Sequence, residues 1–137
     1  MKIVTVDASA AASWIFPTQA TRAGDAFLVA TEARKLIAPA ILPWELGNQI
    51  LNRSRKGGLS SAAMLDDLKA LDVEIDTPLA PESVLASVET ALSRRLSLFD
   101  NAYLQLCLDR SAALASRDAE LLQAALVLGV EIIDLRD

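Results

Sequence analysis

The chain has 137 residues, of which 53% are hydrophobic and 23% are charged. This length suits one domain with one core, and the hydrophobic content excludes an intrinsically disordered chain. The sequence contains no histidine and one cysteine, Cys107, which excludes histidine-based triads, an intrachain disulfide and a four-cysteine zinc site. Any metal ion must therefore be held by oxygen ligands, which favours Mg²⁺ or Mn²⁺.

The charge balance and the hydropathy restrict the environment of the protein. The net charge of −5 excludes nucleic-acid binding by a bulk positive field, leaving a local basic patch or bound cations as the means. No uncharged apolar run approaches the roughly 18 residues of a membrane-spanning helix, so we expect no membrane insertion. One cysteine and no signal peptide favour the reducing cytoplasm.

Short β-type runs alternate with helical segments along the whole chain. Up to the middle of the chain, the predicted elements are a strand over Lys2–Val6, a helix over 8–16, a helix from Thr18 to about Arg34, a strand over 36–38, and a helix from Pro39 to Gly57-Gly58. The elements predicted beyond it are a helix over 61–71 capped by Ser60, a strand over 73–75, helices starting at Pro81 and Ser97, a strand over 112–115, a helix over 118–128 closed by Gly129, and a strand over 130–133.

This alternation predicts one α/β domain over residues 1–137, with a mostly parallel central sheet flanked by helices on both faces. In such sheets, ligands bind beyond the carboxyl ends of the strands. Functional residues are therefore expected just after each strand.

Four acids occupy such positions. Asp7 directly follows the first strand, and Asp118 lies three residues after the strand over 112–115. Glu45 is early in the helix after the second strand, and Asp100 is in the first turn of its helix. Carboxylates that share a pocket repel one another, and a divalent cation makes the arrangement favourable. A metal site of this kind suits attack on a phosphodiester.

Each acid also has a purely structural interpretation. Asp7 and Asp118 can cap the helices that follow them. Asp100 stands three residues after Ser97, which resembles a capping box with Asp in place of Glu, and Glu45 can be a solvated first-turn acid. The interpretations are compatible, because helix N-termini stabilise clustered carboxylates.

The segments around the acids carry a family resemblance. They read VTVDASA at 4–10, APAILPWELGN at 38–48, LSLFDNAYL at 96–104 and LASRDAEL at 114–121. In order and spacing they resemble the motifs of PIN-domain ribonucleases, especially the VapC toxins of bacterial and archaeal toxin–antitoxin pairs. Phe99 stands where the family commonly has Tyr, and Asn101 stands where it commonly has a small residue.

The resemblance implies a PIN-like domain that acts as a Mg²⁺- or Mn²⁺-dependent endoribonuclease, in which a metal-activated water attacks RNA phosphorus in line. It implies two partner proteins, a small antitoxin and a second copy in a homodimer. The implied site consists of Asp7 and Asp100 as principal metal ligands, Glu45 and Asp118 as further pocket carboxylates, and Ser9 and Ser116 as groups that orient waters or ligands.

Basic residues near these motifs are candidates for RNA binding. Arg53, Arg55 and Lys56 form the densest basic patch, on the helix that Glu45 starts. They can equally complement the dipole at the C-terminus of that helix. Arg117 adjoins Asp118 and can contact phosphate or pair with a carboxylate.

The apolar residues Trp14, Phe16, Phe27 and Leu28 are interpreted first as core, with a groove for an apolar partner segment as the alternative. Cys107 is interpreted as a small core residue.

Two other functions compete with a ribonuclease toxin. One is a PIN nuclease of RNA processing outside a toxin system, which this chain's residues do not separate from a toxin. The other is a non-catalytic acidic-pocket domain for binding or signalling. A phosphorylated receiver needs a second acid near the first strand and a late lysine, but Asp7 has no acidic neighbour and no lysine follows Lys69.

Overall fold

The computed structural model describes residues 1–30, 32–58 and 60–137, and within them five strands form one sheet. All the neighbouring strands pair in parallel, in the order β3-β2-β1-β4-β5. The strands are β1 (Lys2–Val6), β2 (Arg34–Ala38), β3 (Glu74–Ile75), β4 (Ala113–Ser116) and β5 (Ile132–Asp134). The predicted α/β class with a largely parallel sheet is therefore confirmed.

Helices connect these strands. In the described part of the chain they are α1 (Ala8–Ile15), α2 (Arg22–Val29), α3 (Leu42–Arg55), α4 (Ser61–Ala70), α5 (Pro81–Arg94), α6 (Leu98–Arg110) and α7 (Ala119–Val127). Across the described ranges, none is long and apolar enough to cross a membrane.

The prediction of one helix from Thr18 to about Arg34 is wrong. Thr18 belongs to a 3₁₀ turn, Pro17–Gln19, and Arg34 is the first residue of β2, where it pairs with Lys2. Thr31, inside the predicted span, lies outside the described residues.

The helix in this region begins later than predicted because Thr21 caps it. The Thr21 hydroxyl accepts a hydrogen bond from the backbone N–H of Gly24 at 2.9 Å and donates one to the carbonyl oxygen of Leu135 at 2.7 Å. Threonine is a preferred N-cap residue, so the type of residue found at the cap is the expected one. The distant carbonyl of Leu135 favours Thr21.

The core lies on both faces of the sheet. Leu36 and Ala38 of β2 belong to the main core with residues of α1 and α3, whereas Ile37 packs in a separate cluster with Leu106 of α6. Successive strand residues point to opposite faces of the sheet, so these two clusters lie on opposite faces. Helices therefore flank the sheet on both sides, as predicted. Cys107 is buried in the main core, confirming its structural interpretation, and burial raises the pKa of its thiol to about 11.

The predicted aromatic core near α1 is largely confirmed. Phe16 is fully buried. Trp14 and Phe27 are partly buried and stack with ring centroids 5.6 Å apart, while Leu28 is exposed. The Trp14 indole N–H donates to the carbonyl oxygen of Gly24 at 2.9 Å, which ties α1 to α2.

The close approach of α1 and α2 yields a stability prediction. A Cβ atom on Gly24 would lie 2.8 Å from Ser13 Oγ and 2.9 Å from Thr21 Oγ1. We expect Gly24→Ala to lower the free energy of unfolding by about 1–3 kcal/mol through overpacking, measured by urea denaturation. Gly47→Ala is the matched control: its Cβ would meet nothing within 4 Å, so better helix propensity should stabilise the protein by up to about 1 kcal/mol. Equal effects of the two substitutions would contradict the tight helix contact.

Candidate active site

Asp7 and Asp118 lie at the same edge of the sheet. Asp7 directly follows β1, Asp118 stands two residues after β4, and these neighbouring strands run parallel. Asp7 caps α1 by accepting a hydrogen bond from the backbone N–H of Ala10 at 2.8 Å. Asp118 caps α7 by accepting from the N–H groups of Glu120 at 3.0 Å and Leu121 at 3.3 Å. Their capping interpretations are therefore confirmed, and the caps bring the carboxylates to one edge.

Two serine hydroxyls orient the Asp7 carboxylate. Ser9 Oγ donates to Asp7 Oδ1 at 2.8 Å, and Ser116 Oγ donates to Asp7 Oδ2 at 2.6 Å. Backbone N–H groups hold the two serines in turn. The N–H of Arg117 donates to Ser9 Oγ at 2.9 Å, and the N–H of Asp118 donates to Ser116 Oγ at 2.9 Å. The network joins the ends of β1 and β4 and leaves Asp7 little freedom to rotate.

Glu45 and Asp100 belong to α3 and α6. Ser97 Oγ caps α6 by accepting from the backbone N–H of Asp100 at 3.0 Å, as the sequence predicts. The Tyr103 hydroxyl, one turn after Asp100, donates to Glu45 Oε1 at 2.7 Å and so links α6 to α3. Burial and the neighbouring Glu45 raise the pKa of Tyr103 far above its ordinary value, so this hydroxyl remains a donor. Tyr103 was not among the predicted site residues, although its position one helical turn after Asp100 was a usable signal.

Asp7 is only 5% exposed, and this burial raises its pKa above the ordinary value. The hydrogen bonds from Ser116, Ala10 and Ser9 oppose the shift, while the negative charge of Asp118 adds to it. The hydrogen bonds therefore offset only part of the cost of burying the Asp7 charge.

The other acids are in similar surroundings. Burial raises the pKa of Glu45, with a further rise from the charges of Asp100 and Asp7 and an opposing effect from the Tyr103 hydrogen bond. Burial also raises the pKa of Asp100, and the charge of Asp118 raises it further. Asp7, Glu45 and Asp100 therefore each experience the negative charge of at least one other acid of the predicted site, as expected of neighbouring carboxylates.

The donor set suits a hard divalent cation, since it consists of oxygen atoms that carry uncompensated negative charge. In the described ranges, no group of three acidic side chains is placed to enclose a metal ion. Asp7, Glu45 and Asp118 are instead engaged in their own hydrogen bonds. Asp100 is only half-buried.

The structure separates the basic candidates into two groups. Arg53 stacks over the ring of Phe16, at 4.1 Å from the ring centroid, and so stabilises the fold. Arg55 and Lys56 are exposed at the far end of α3, about 15 Å of helix rise from Glu45. The structure therefore does not bring this patch to the acids.

Arg117 lies at the acidic edge. Its Nε donates to the carbonyl oxygen of Ser9 at 2.8 Å, and its Nη2 donates to Gln19 Oε1 at 2.6 Å. Both acceptors are uncharged. Among the ion pairs of the described residues, none involves Arg117.

The parallel sheet, the flanking helices and the acids at the carboxyl edge define a PIN-like α/β domain, the fold that the sequence resemblance implies. No protein-family model matches the sequence, and no curated protein matches it. Solved structures do share the fold. PAE2754 from Pyrobaculum aerophilum has a TM-score of 0.67 and 22% identity, covering 96% of this chain and 91% of that one.

Two VapBC structures also match. VapBC2 from Rickettsia felis, bound to a DNA fragment from its promoter, has a TM-score of 0.62 and 11% identity over 95% of this chain and 96% of that one. VapBC-1 from nontypeable Haemophilus influenzae has a TM-score of 0.59 and 11% identity over 97% and 98% of the two chains. At these identities the similarity shows the fold alone.

Proposed function

We propose that the protein is a Mg²⁺- or Mn²⁺-dependent endoribonuclease. The observation that supports the proposal is the position of Asp7 and Asp118 after the parallel strands β1 and β4, with Glu45 and Asp100 near enough for charge interactions. Burial and these neighbouring charges raise the pKa values of Asp7, Glu45 and Asp100. Such a cluster is costly without a cation and is stabilised when one binds.

In this proposal Asp7 and Asp100 are the principal ligands, and Glu45 and Asp118 bind directly or through water. A divalent cation held by these residues would supply an activated water and charge stabilisation at the phosphate oxygens. Ser9 and Ser116 orient Asp7, and Tyr103 orients Glu45. The Arg117 guanidinium, which is hydrogen-bonded to neutral acceptors, places a positive charge beside the acids where an RNA phosphate would approach.

The biological setting that we propose is a toxin controlled by a small antitoxin protein, with the toxin acting as a homodimer. The fold shared with the two VapBC structures supports this setting. It also supports a nuclease as the class of enzyme, while the RNA substrate is inferred from the acid cluster and the motif resemblance.

The proposal is tested by incubating purified protein with a panel of defined RNAs in Mg²⁺, in Mn²⁺ and in EDTA. We expect cuts at discrete positions with either metal and none with EDTA. Cuts that persist in EDTA would contradict the metal requirement, and cuts shared with a preparation of the Asp7→Asn variant would indicate a contaminating nuclease.

A further inference from the structure

A cavity of about 320 Å³ opens among the loops that follow β2 and β3 and the helices α5 and α6. Its walls come from four chain segments: the loop after β2 with the first turn of α3, the loop after β3, the first two turns of α5, and α6. Its apolar lining includes Ile41, Trp44, Leu79, Val84, Leu98 and Phe99. Nothing in the proposed metal chemistry requires this cavity.

Two exposed aromatic side chains line the cavity next to the acids. Trp44 is 78% exposed and precedes Glu45, and Phe99 is 55% exposed and precedes Asp100. Each ring therefore belongs to a residue next to an acid of the proposed site, within the reach of a nucleotide bound at those acids. Exposed aromatic faces at a binding groove are the usual stacking surface for unpaired bases.

The polar lining favours a base over a phosphate. Asp76, Thr77, Ser87, Gln105 and Asp109 supply the polar groups of the cavity, and no lysine or arginine is among the described residues that line it. Carboxylate oxygens accept hydrogen bonds from the N–H groups that every RNA base carries at its pairing edge, and they repel phosphate. The volume lies at the lower end of the range for ligand pockets, about 300–1,000 Å³, which suits one nucleoside.

We propose that this cavity binds the unpaired base of a nucleotide adjacent to the scissile phosphate, with Trp44 and Phe99 as stacking residues. The inference rests on the proposed ribonuclease function, because it places the cut phosphate over the acids. It assigns part of the sequence preference to the cavity and the chemistry of cleavage to the acids.

Binding can be tested without metal or catalysis. In a Trp14→Phe background, Trp44 is the only tryptophan, so its fluorescence reports on the cavity. We expect at least one of the four ribonucleosides to quench it saturably and ribose to leave it unchanged. Adding Phe99→Ala should weaken this quenching about 10-fold or more.

Cleavage gives a second, independent test. We expect Trp44→Ala and Phe99→Ala each to lower kcat/KM about 10- to 100-fold. Val127→Ala, which removes an equally exposed apolar side chain from α7, should leave it unchanged. An abasic nucleotide next to the cut should lower kcat/KM of the wild type by a similar factor. The same abasic RNA should lower kcat/KM of the Trp44→Ala variant little further, because the stacking contact is already lost.

Two results would overturn the inference: no saturable quenching by any nucleoside, or the same abasic penalty in the variant as in the wild type. In either case, conversion of a dimer to a monomer by Trp44→Ala in sedimentation velocity would identify the cavity wall as an interface between copies. Nucleoside quenching by a protein that cuts no RNA would refute the proposed nuclease alone. RNA cleavage by the wild type without nucleoside quenching would refute only the proposal that the cavity binds a base.

Discussion

Replacing Asp7 with Asn is expected to lower metal-dependent RNA cleavage by about 100- to 1,000-fold or more. Asn has nearly the same size and is an equally good N-cap, so α1 should still form. The substitution removes the negative charge of the most buried acid in the cluster. Asp100→Asn should cause a loss of the same order, since in the proposal both residues hold the cation.

The measurement is kcat/KM for one cleaved RNA at saturating Mg²⁺, with circular dichroism to verify that each variant is folded. Asp67→Asn is the matched control, because Asp67 is an exposed acid on α4. Its cleavage should equal that of the wild type. A folded Asp7→Asn variant with wild-type activity would place the active site elsewhere.

The second prediction is that the acid cluster makes the free energy of unfolding of the metal-free protein fall as the pH rises. Asp7, Glu45 and Asp100 have native pKa values above their ordinary values of 3.8, 4.5 and 3.8. Below those ordinary values the groups are protonated in both states and no stability is lost. Stability then falls as the pH rises from the ordinary values through the raised ones, and the loss remains at neutral pH.

Comparing the wild type with Asp7→Asn isolates this effect from the exposed acids Glu74 and Asp134, whose pKa values are lowered by basic partners. In EDTA, Asp7→Asn should be about as stable as the wild type near pH 4 and more stable at pH 8, as measured by thermal melts. A variant less stable than the wild type at pH 8 would show that the Asp7 hydrogen bonds outweigh its desolvation.

Metal binding should reverse the loss. At a free Mg²⁺ concentration 100 times the dissociation constant, linkage predicts about 2.7 kcal/mol of added stability, which is about 10 °C in Tm for a chain of this size. The Asp7→Asn variant should lose most of that shift. Equal Mg²⁺-induced shifts in both proteins would mean that Asp7 is not a ligand.

The sequence by itself determined the alternation of strands and helices and the acids that follow the strands. β1 has its predicted bounds, and Asp7, Ser60, Ser97 and Asp118 all cap the helices expected of them. These features depend on the residue's own backbone and on neighbours within about four positions, so a linear pattern contains them. The prediction failed at Thr18 because the residue that caps α2, Thr21, is held in place by a carbonyl 114 residues away.

Only the tertiary structure decided which side chains meet at the sheet edge. The bond from Ser116 to Asp7 spans 109 residues, and the bond from Tyr103 to Glu45 spans 58. The cavity beside Trp44 is likewise built from four separate segments. These contacts follow from the strand order β3-β2-β1-β4-β5 and its register, which bring distant residues together. A linear sequence pattern reports periodicity and local capping, whereas register arises only when the strands pair and the helices pack on them.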